Sequence, residues 1–196
     1  RIRAGIGPQL EAYLQSGRIL GGLCNGFQVL TELGLLPGRP GGHLGPPEAA
    51  LHANASGHFE CRPTFVAWEG GRFPALQHLS KGQRYMFPSA HAEGQLVLGG
   101  PPGERLAELE ANGQVLFRWV APDGAPATYP WNPNGAVGDI AGLMNPEGNV
   151  FGLMPHPERN FFRAQSPDWT RTSGAEGPSD GQRFLDAVLR QVERTG

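Results

Sequence analysis

Arg18-Ile-Leu-Gly-Gly-Leu-Cys-Asn-Gly-Phe-Gln-Val-Leu30 is the stretch from which the fold can be read. A short apolar run from Arg18 to Leu23 gives way at Cys24 to a helical pattern. Phe27, Leu30 and Leu33 recur at i, i+3 and i+6, and Gly34 marks the stop. A change of period at a cysteine between Gly22 and Gly26 describes a strand that turns sharply into a helix. Small flanking residues let the backbone fold back while the residue at the tip stands exposed. A thiol there sits at a helix N-terminus, whose free N–H groups and positive dipole end favour the reactive thiolate. The same cysteine taken alone would read as a small buried hydrophobe. A base elsewhere in the chain decides between the two.

Asn149-Val-Phe-Gly-Leu-Met-Pro-His-Pro-Glu-Arg159 supplies one. An apolar strand runs into His156, and Glu158 follows two positions later. In extended backbone, residues i and i+2 project from one face, so imidazole and carboxylate lie together. Pro155 and Pro157 fix φ and stiffen the turn. A cysteine nucleophile needs a base, and the base needs a third group to hold its tautomer and orientation. Cys24, His156 and Glu158 provide the three types. His91-Ala-Glu-Gly94 repeats the i, i+2 spacing and competes for the role. His156 is preferred because it follows a well-formed strand. His91 and Glu93 are read as supporting the site or shaping a loop beside it. A metal held jointly by both His-x-Glu pairs has acceptable ligand types but no ligand spacing on a helix or knuckle, so no metal is assigned.

The remaining candidates read more plainly. Cys61 lies in a strand pattern and reads as a passive core thiol; a Cys24–Cys61 disulfide would remove the nucleophile. His43, His52, His58 and His78 read as loop or surface residues. Gln28 stands one turn beyond Cys24 on the helix, so its amide can face the same side. Phe161, Phe162 and Trp169 come after the His-Pro-Glu segment in an irregular stretch and read as packing or as a docking surface.

The rest of the 196-residue chain is consistent with one α/β domain spanning 1–196. Thirty glycines and 19 prolines are spread among regular apolar segments, which indicates a loop-rich globular enzyme and not a low-complexity chain. A net charge of −2 offers no electrostatic case for nucleic acid or an anionic membrane as partner. No apolar stretch reaches membrane-spanning length and no signal peptide is visible. Two cysteines do not make a disulfide framework, and a reducing cytosol suits them. The pattern predicts a helix over 8–16 stopped by Gly17, and a central, buried strand over 18–23. A helix over 25–33 and a long loop over 38–57 come next. Further strands are predicted at 58–68, 95–98 and 114–121, then a hairpin of 139–144 with 149–154 around Pro146-Glu-Gly148. The tail, 180–194, reads as an amphipathic helix with Phe184, Leu185, Val188, Leu189 and Val192 on one face.

Several segments in order along the chain resemble the class I (triad) glutamine amidotransferases. They are Gly22-Leu-Cys-Asn-Gly-Phe-Gln-Val-Leu-Thr-Glu-Leu-Gly-Leu-Leu-Pro-Gly38, Asn54-Ala-Ser-Gly-His-Phe-Glu-Cys-Arg62, His91-Ala-Glu-Gly94, Asn132-Pro-Asn-Gly135, Ile140-Ala-Gly142, Asn145-Pro-Glu-Gly148 and Gly152-Leu-Met-Pro-His-Pro-Glu-Arg159. Cys-Asn-Gly-Phe-Gln and Met-Pro-His-Pro-Glu-Arg point, within that family, to the branch acting as the glutaminase component of phosphoribosylformylglycinamidine synthase in purine biosynthesis. The resemblance implies a flavodoxin-like layered sheet with a nucleophile elbow, and hydrolysis of the side-chain amide of L-glutamine. Cys24 would attack, His156 would move protons, Glu158 would orient His156, and the Asn25 backbone N–H, beside Gly26, would form part of the oxyanion hole. Gln28 would contact the substrate. Ammonia would pass to a synthetase partner, which would hold ATP and Mg while this chain holds no cofactor.

Family members begin with a strand, a helix and a second strand ending in a Pro-Gly-Gly-type loop that gives a second oxyanion donor. Nothing before Cys24 reads as that loop, so the N-terminal portion is expected to be missing here. A fragment, strands supplied from elsewhere, or an impaired product would each account for that. Alternatives on the function side are an amidotransferase serving another synthetase, a catalytically impaired partner-binding module, and a cysteine peptidase on a similar fold.

Overall fold

Helix α1 (Ile2–Gln15) precedes strand β1 (Leu20–Leu23), and Cys24 joins β1 to α2 (Asn25–Glu32). The structure, a computed structural model, describes residues 1–41, 44–101, 103–171 and 177–195. Strands β2 (Ala49–Ala53), β3 (Glu60–Trp68), β4 (Arg84–His91) and β5 (Glu93–Leu98) come next, then helix α3 (Glu104–Ala111). Strands β6 (Val115–Val120), β7 (Ile140–Met144) and β8 (Val150–Leu153) lead to the terminal helix α4 (Asp180–Thr195). Six strands form one sheet in the order β1-β8-β7-β6-β3-β4, and β2 pairs with β5 in a separate two-stranded sheet. β1 and β8 run parallel, Leu20 opposite Val150 and Leu23 opposite Leu153; the other pairs are antiparallel.

The large sheet curls, so that segments at its β1–β8 end reach its far edge at β4. The outer edge of β4 is covered by the chain that leaves β8: the His156 N–H donates to the Pro88 carbonyl at 2.7 Å, and Asn160 Nδ2 donates to the Met86 carbonyl at 2.9 Å. The Met86 N–H donates to Asp180 Oδ2 at 2.9 Å, which ties in the start of α4. Pro88 has no N–H, and an edge position is where a strand tolerates that. Inside the curl, α4 inserts Phe184 against Phe87, Phe117 and Phe151, with ring centroids 5.6, 5.9 and 6.0 Å away. Trp68, Phe87, Phe117 and Phe184 are fully enclosed. Aromatic burial of this kind supplies much of a domain's hydrophobic stabilisation.

Several elements differ from the pattern read in the chain. α1 begins six residues earlier than its proline suggests and carries Pro8 in its interior. Its first turns are fixed from outside, by Arg3 donating to the carbonyls of Leu33 and Gly45, at 3.2 and 2.7 Å, and by Gly7 against Leu44. β1 is an edge strand of the described sheet, and of its residues only Gly22 is buried. Its glycines make room instead: a Cβ on Gly21 would stand 2.5 Å from the Phe151 ring. The stretch 38–57 holds β2, a strand of alanines, leucine and histidine made by pairing with β5 and not by propensity. β4 is hidden in the sequence by Pro88, and α3 by its Gly103 start at φ +86°. On α4 the buried side runs through Gly181, Phe184 and Ala187, so Leu189 and Val192, which face the other way, are exposed.

Candidate active site

The elbow has the predicted shape. Cys24 holds φ +50° and ψ −107°, a conformation costly for a residue with a Cβ and kept only where the surroundings over-determine it. They do so from both sides. The Cys24 N–H continues the β1–β8 ladder by donating to the Leu153 carbonyl at 2.7 Å, and the Gln28 N–H donates to the Cys24 carbonyl at 3.2 Å as the helix begins. Gly22 is where the turn closes: a Cβ there would lie 2.5 Å from the Gly26 carbonyl carbon. Gly26 itself faces open space, so of the two flanking glycines it is Gly22 that the close approach requires. Asn25 and Gly26 open α2, and N–H groups in a first helical turn have no intrahelical acceptor.

Parallel pairing of β1 and β8 sets the ends of both strands side by side, so the segments leaving them, Cys24 and Met154-Pro-His156, emerge together. His156 is buried. Its Nδ1 meets Glu158 Oε1 at 2.5 Å, but across the first turn of a 3-10 helix, Pro157–Asn160, and not along the extended backbone expected from the i, i+2 spacing. Its Nε2 is buried and has no hydrogen-bond partner among the described residues. That edge of the ring faces Cys24. The thiol is the strongest influence raising the imidazole, followed by Glu158; together they outweigh burial and push it up to about 9. Burial pushes the Glu158 carboxyl upward, but the hydrogen bond with His156, its own backbone N–H, the His156 charge and Arg159 prevail and hold it below its ordinary value. The Cys24 thiol lies 3.8 Å from the Ala90 carbonyl and donates to it. Ala90 and Pro88 present their carbonyls along one edge of β4, so that edge carries the backbone of His156 and the thiol of Cys24 together.

His91 and Glu93 form the corner at which the chain leaves the large sheet for the small one. His91 is buried, and its Nδ1 lies 3.0 Å from Asn54 Oδ1. Burial first, then the charge of His156, press its imidazole down to about 4. Glu93 is exposed, and its carbonyl accepts from Gln28 Nε2 at 3.0 Å. Gln28 Oε1 accepts from Asn25 Nδ2 at 3.0 Å, so the Gln28 amide braces α2 against the 91–93 corner. Cys61, expected in the core, is exposed because its side chain points away from the face that buries Glu60 and Thr64; both cysteines are free. His52, His58 and His78 are exposed, and His43 lies outside the described residues. Phe162 and Trp169 are exposed, while Phe161 is half-buried and meets the Phe162 ring edge-on. Asn54 and Gly94 were not singled out by residue chemistry, although both lie in segments that carry the family resemblance. Asn54 holds the His91 corner, and a Cβ on Gly94 would stand 2.7 Å from His91 Nδ1. Among the described residues no three His, Cys, Asp or Glu side chains converge as a metal ligand set, and no helix is long and apolar enough to cross a membrane.

The geometry can be set beside known proteins. A model of the CobB/CobQ-like glutamine amidotransferase domain matches residues 1–189. Phosphoribosylformylglycinamidine synthase subunit PurQ of Archaeoglobus fulgidus is 42% identical over 99% of this chain, which spans 70% of that protein. The PurQ subunit of Acaryochloris marina is 45% identical over 94% of the chain and 68% of its own length. Among solved structures, PurLQS from Thermotoga maritima superposes with a TM-score of 0.65 and 29% identity, covering 95% of this chain and 68% of the matched one.

Proposed function

The chain belongs to the CobB/CobQ-like glutamine amidotransferase family, and from that premise we propose that it is the glutaminase component of a phosphoribosylformylglycinamidine synthase. The observation that carries the reading is a single constellation: a strained Cys24 at the start of α2, a buried His156 Nε2 turned to it, and Glu158 on the other ring nitrogen. Curated relatives of that name, near 40% identical over almost the whole chain, support the acceptor assigned to it.

In this reading the Cys24 thiolate attacks the side-chain carboxamide carbon of L-glutamine. The C–N bond breaks as His156 delivers a proton to the leaving ammonia, which leaves a γ-glutamyl thioester. Water then attacks the thioester, His156 takes its proton, and glutamate departs from the restored thiol. Glu158 fixes the tautomer and stabilises the imidazolium between the two steps. The Asn25 N–H donates to the developing oxyanion, a contribution worth on the order of 100-fold in rate or more. Gln28, one turn along α2 from Cys24 with Gly26 between them, is assigned to substrate contact, for which its amide would leave Asn25 or the Glu93 carbonyl. Amide hydrolysis by thiol and imidazole needs no cofactor, so ATP and Mg²⁺ are assigned to the synthetase partner that consumes the ammonia.

Ammonia release from L-glutamine tests this in the presence of the synthetase, its nucleotide and formylglycinamide ribonucleotide. The native chain should release ammonia in step with product, and Cys24→Ser should abolish both while free ammonium still supports the synthetase. Turnover coupled to a different acceptor would transfer the chain to another branch of the family. Absence of any glutamine-dependent turnover would overturn the reading.

A further inference from the structure

His91 is a buried imidazole that the triad mechanism does not use, yet it lies near enough to His156 to feel its charge. The carbonyl of the preceding residue, Ala90, accepts the Cys24 thiol, and Pro88, three residues earlier, accepts the His156 backbone. Its tautomer is determined by its neighbours. Asn54 Nδ2 donates to the carbonyls of His58 and His91, both at 2.8 Å, which leaves Asn54 Oδ1 as an acceptor. His91 Nδ1, 3.0 Å away, must therefore carry the proton, and Nε2 carries the lone pair.

That Nε2 is buried and has no partner among the described residues; His156 Nε2 is buried too and has only the Cys24 thiol before it. Buried polar atoms left open in this way call for a ligand or an ordered water. No neighbouring side chain fills the place. Glu60, opposite His91 across the strands, gives its Oε2 to Arg62, and its Oε1 is buried and open as well, so it brings no donor to the ring. Asn134 Nδ2, which like His91 Nδ1 lies close to where a Gly94 Cβ would stand, is buried and has no hydrogen-bond partner among the described residues. A water that donates to the open lone pair would complete it.

Resting on the glutaminase reading, we propose that His91 is the water-holding residue of deacylation: the water that hydrolyses the γ-glutamyl thioester donates one hydrogen to His91 Nε2 and the other to His156 Nε2. The water oxygen forms its bond to the thioester carbon as the hydrogen facing His156 transfers to that ring as a proton. The C–S bond then breaks, His156 returns the proton to the Cys24 sulfur, and the hydrogen held at His91 stays with the product carboxyl until it ionises. His91 accepts throughout and is never protonated. Burial and the His156 charge, which keep its imidazole neutral at pH 7, suit it to that task.

The test compares His91→Leu with His91→Gln in the full-length protein with its synthetase. Leucine removes the acceptor, whereas glutamine can present its amide oxygen. In His91→Leu the first equivalent of ammonia should appear at near the native rate, with later turnover about 100-fold slower. The γ-glutamyl thioester should then accumulate, visible by mass on the Cys24 peptide, and hydroxylamine should relieve the block. His91→Gln should recover part of the rate. Slowing of the first ammonia equivalent together with turnover, and no thioester, would mean that His91 only builds the acylation site, and the proposal fails. Unchanged turnover in His91→Leu would overturn it as well. If the native protein itself forms no adduct with glutamine, the glutaminase reading has failed, and the two failures are thereby distinguished.

Discussion

Gly22 and Gly26 flank Cys24 symmetrically in sequence but not in space. A Cβ on Gly22 would press into the Gly26 carbonyl, whereas one on Gly26 would meet nothing within 4 Å. Gly22→Ala should therefore cost about 1–3 kcal/mol of stability by forcing the elbow open. Gly26→Ala, at a first-turn helical position, should leave stability unchanged or slightly raised. Urea unfolding of the two variants checks the ranking, and equal losses would contradict the packing described. Glu158 acts through its bond to His156 Nδ1. Glu158→Gln keeps the shape but favours the wrong tautomer, so kcat should fall about 100-fold or more with little change in KM. A matching rise in KM would instead assign Glu158 to substrate binding.

At the scale of elements, α4 enters the core with one large side chain, beside the buried Gly181 and Ala187. Phe184 is enclosed by three other rings, and Phe184→Ala should cost about 3–5 kcal/mol. Leu189, 57% exposed on the side turned outward, should tolerate serine within about 0.5 kcal/mol. Thermal unfolding separates these outcomes. The contrast also indicates what could be read in advance. The periodicity of the tail marks a helix, but which side of it packs is set by the sheet beneath, which turns Phe184 and Ala187 inward and Leu189 and Val192 out. The elbow and the His156–Glu158 pair were legible because each rests on local geometry: a change of period at a glycine-flanked cysteine, and i, i+2 spacing held by prolines. β4 was not, because Pro88 signals a break and only its edge position, with His156, Asn160 and Asp180 covering that edge, makes the strand viable. Nor was the role of Asn54, whose partners His58 and His91 are joined to it by a corner between two sheets.

Over the whole molecule, the curl of the sheet brings two imidazoles with opposite titration behaviour to one place. His156 is raised from the ordinary 6.5 to about 9, so its contribution to stability is complete below pH 6.5 and is lost as pH climbs through 9. His91 is lowered to about 4, so it is neutral at no cost above pH 6.5 and opposes folding increasingly as pH falls toward 4. The pair should place a stability maximum near pH 6.5. His156→Gln should flatten the alkaline limb and His91→Gln the acid limb in urea titrations across pH. Because the His156 charge helps press His91 down, His156→Gln should also soften the acid limb; an acid limb unmoved by His91→Gln, or an alkaline limb unmoved by His156→Gln, would show that the groups do not titrate as described. All of this geometry converges on one sulfur, set at the join between the first and last strands of the sheet. The most direct test is labelling by a diazo-ketone analogue of glutamine, with the synthetase present and the adduct mapped by peptide mass. Modification should fall on Cys24 and not on the exposed Cys61, L-glutamine should protect against it, and His156→Gln should slow it greatly. Labelling of Cys61 alone, or of Cys24 at a rate indifferent to glutamine and to His156, would contradict the account.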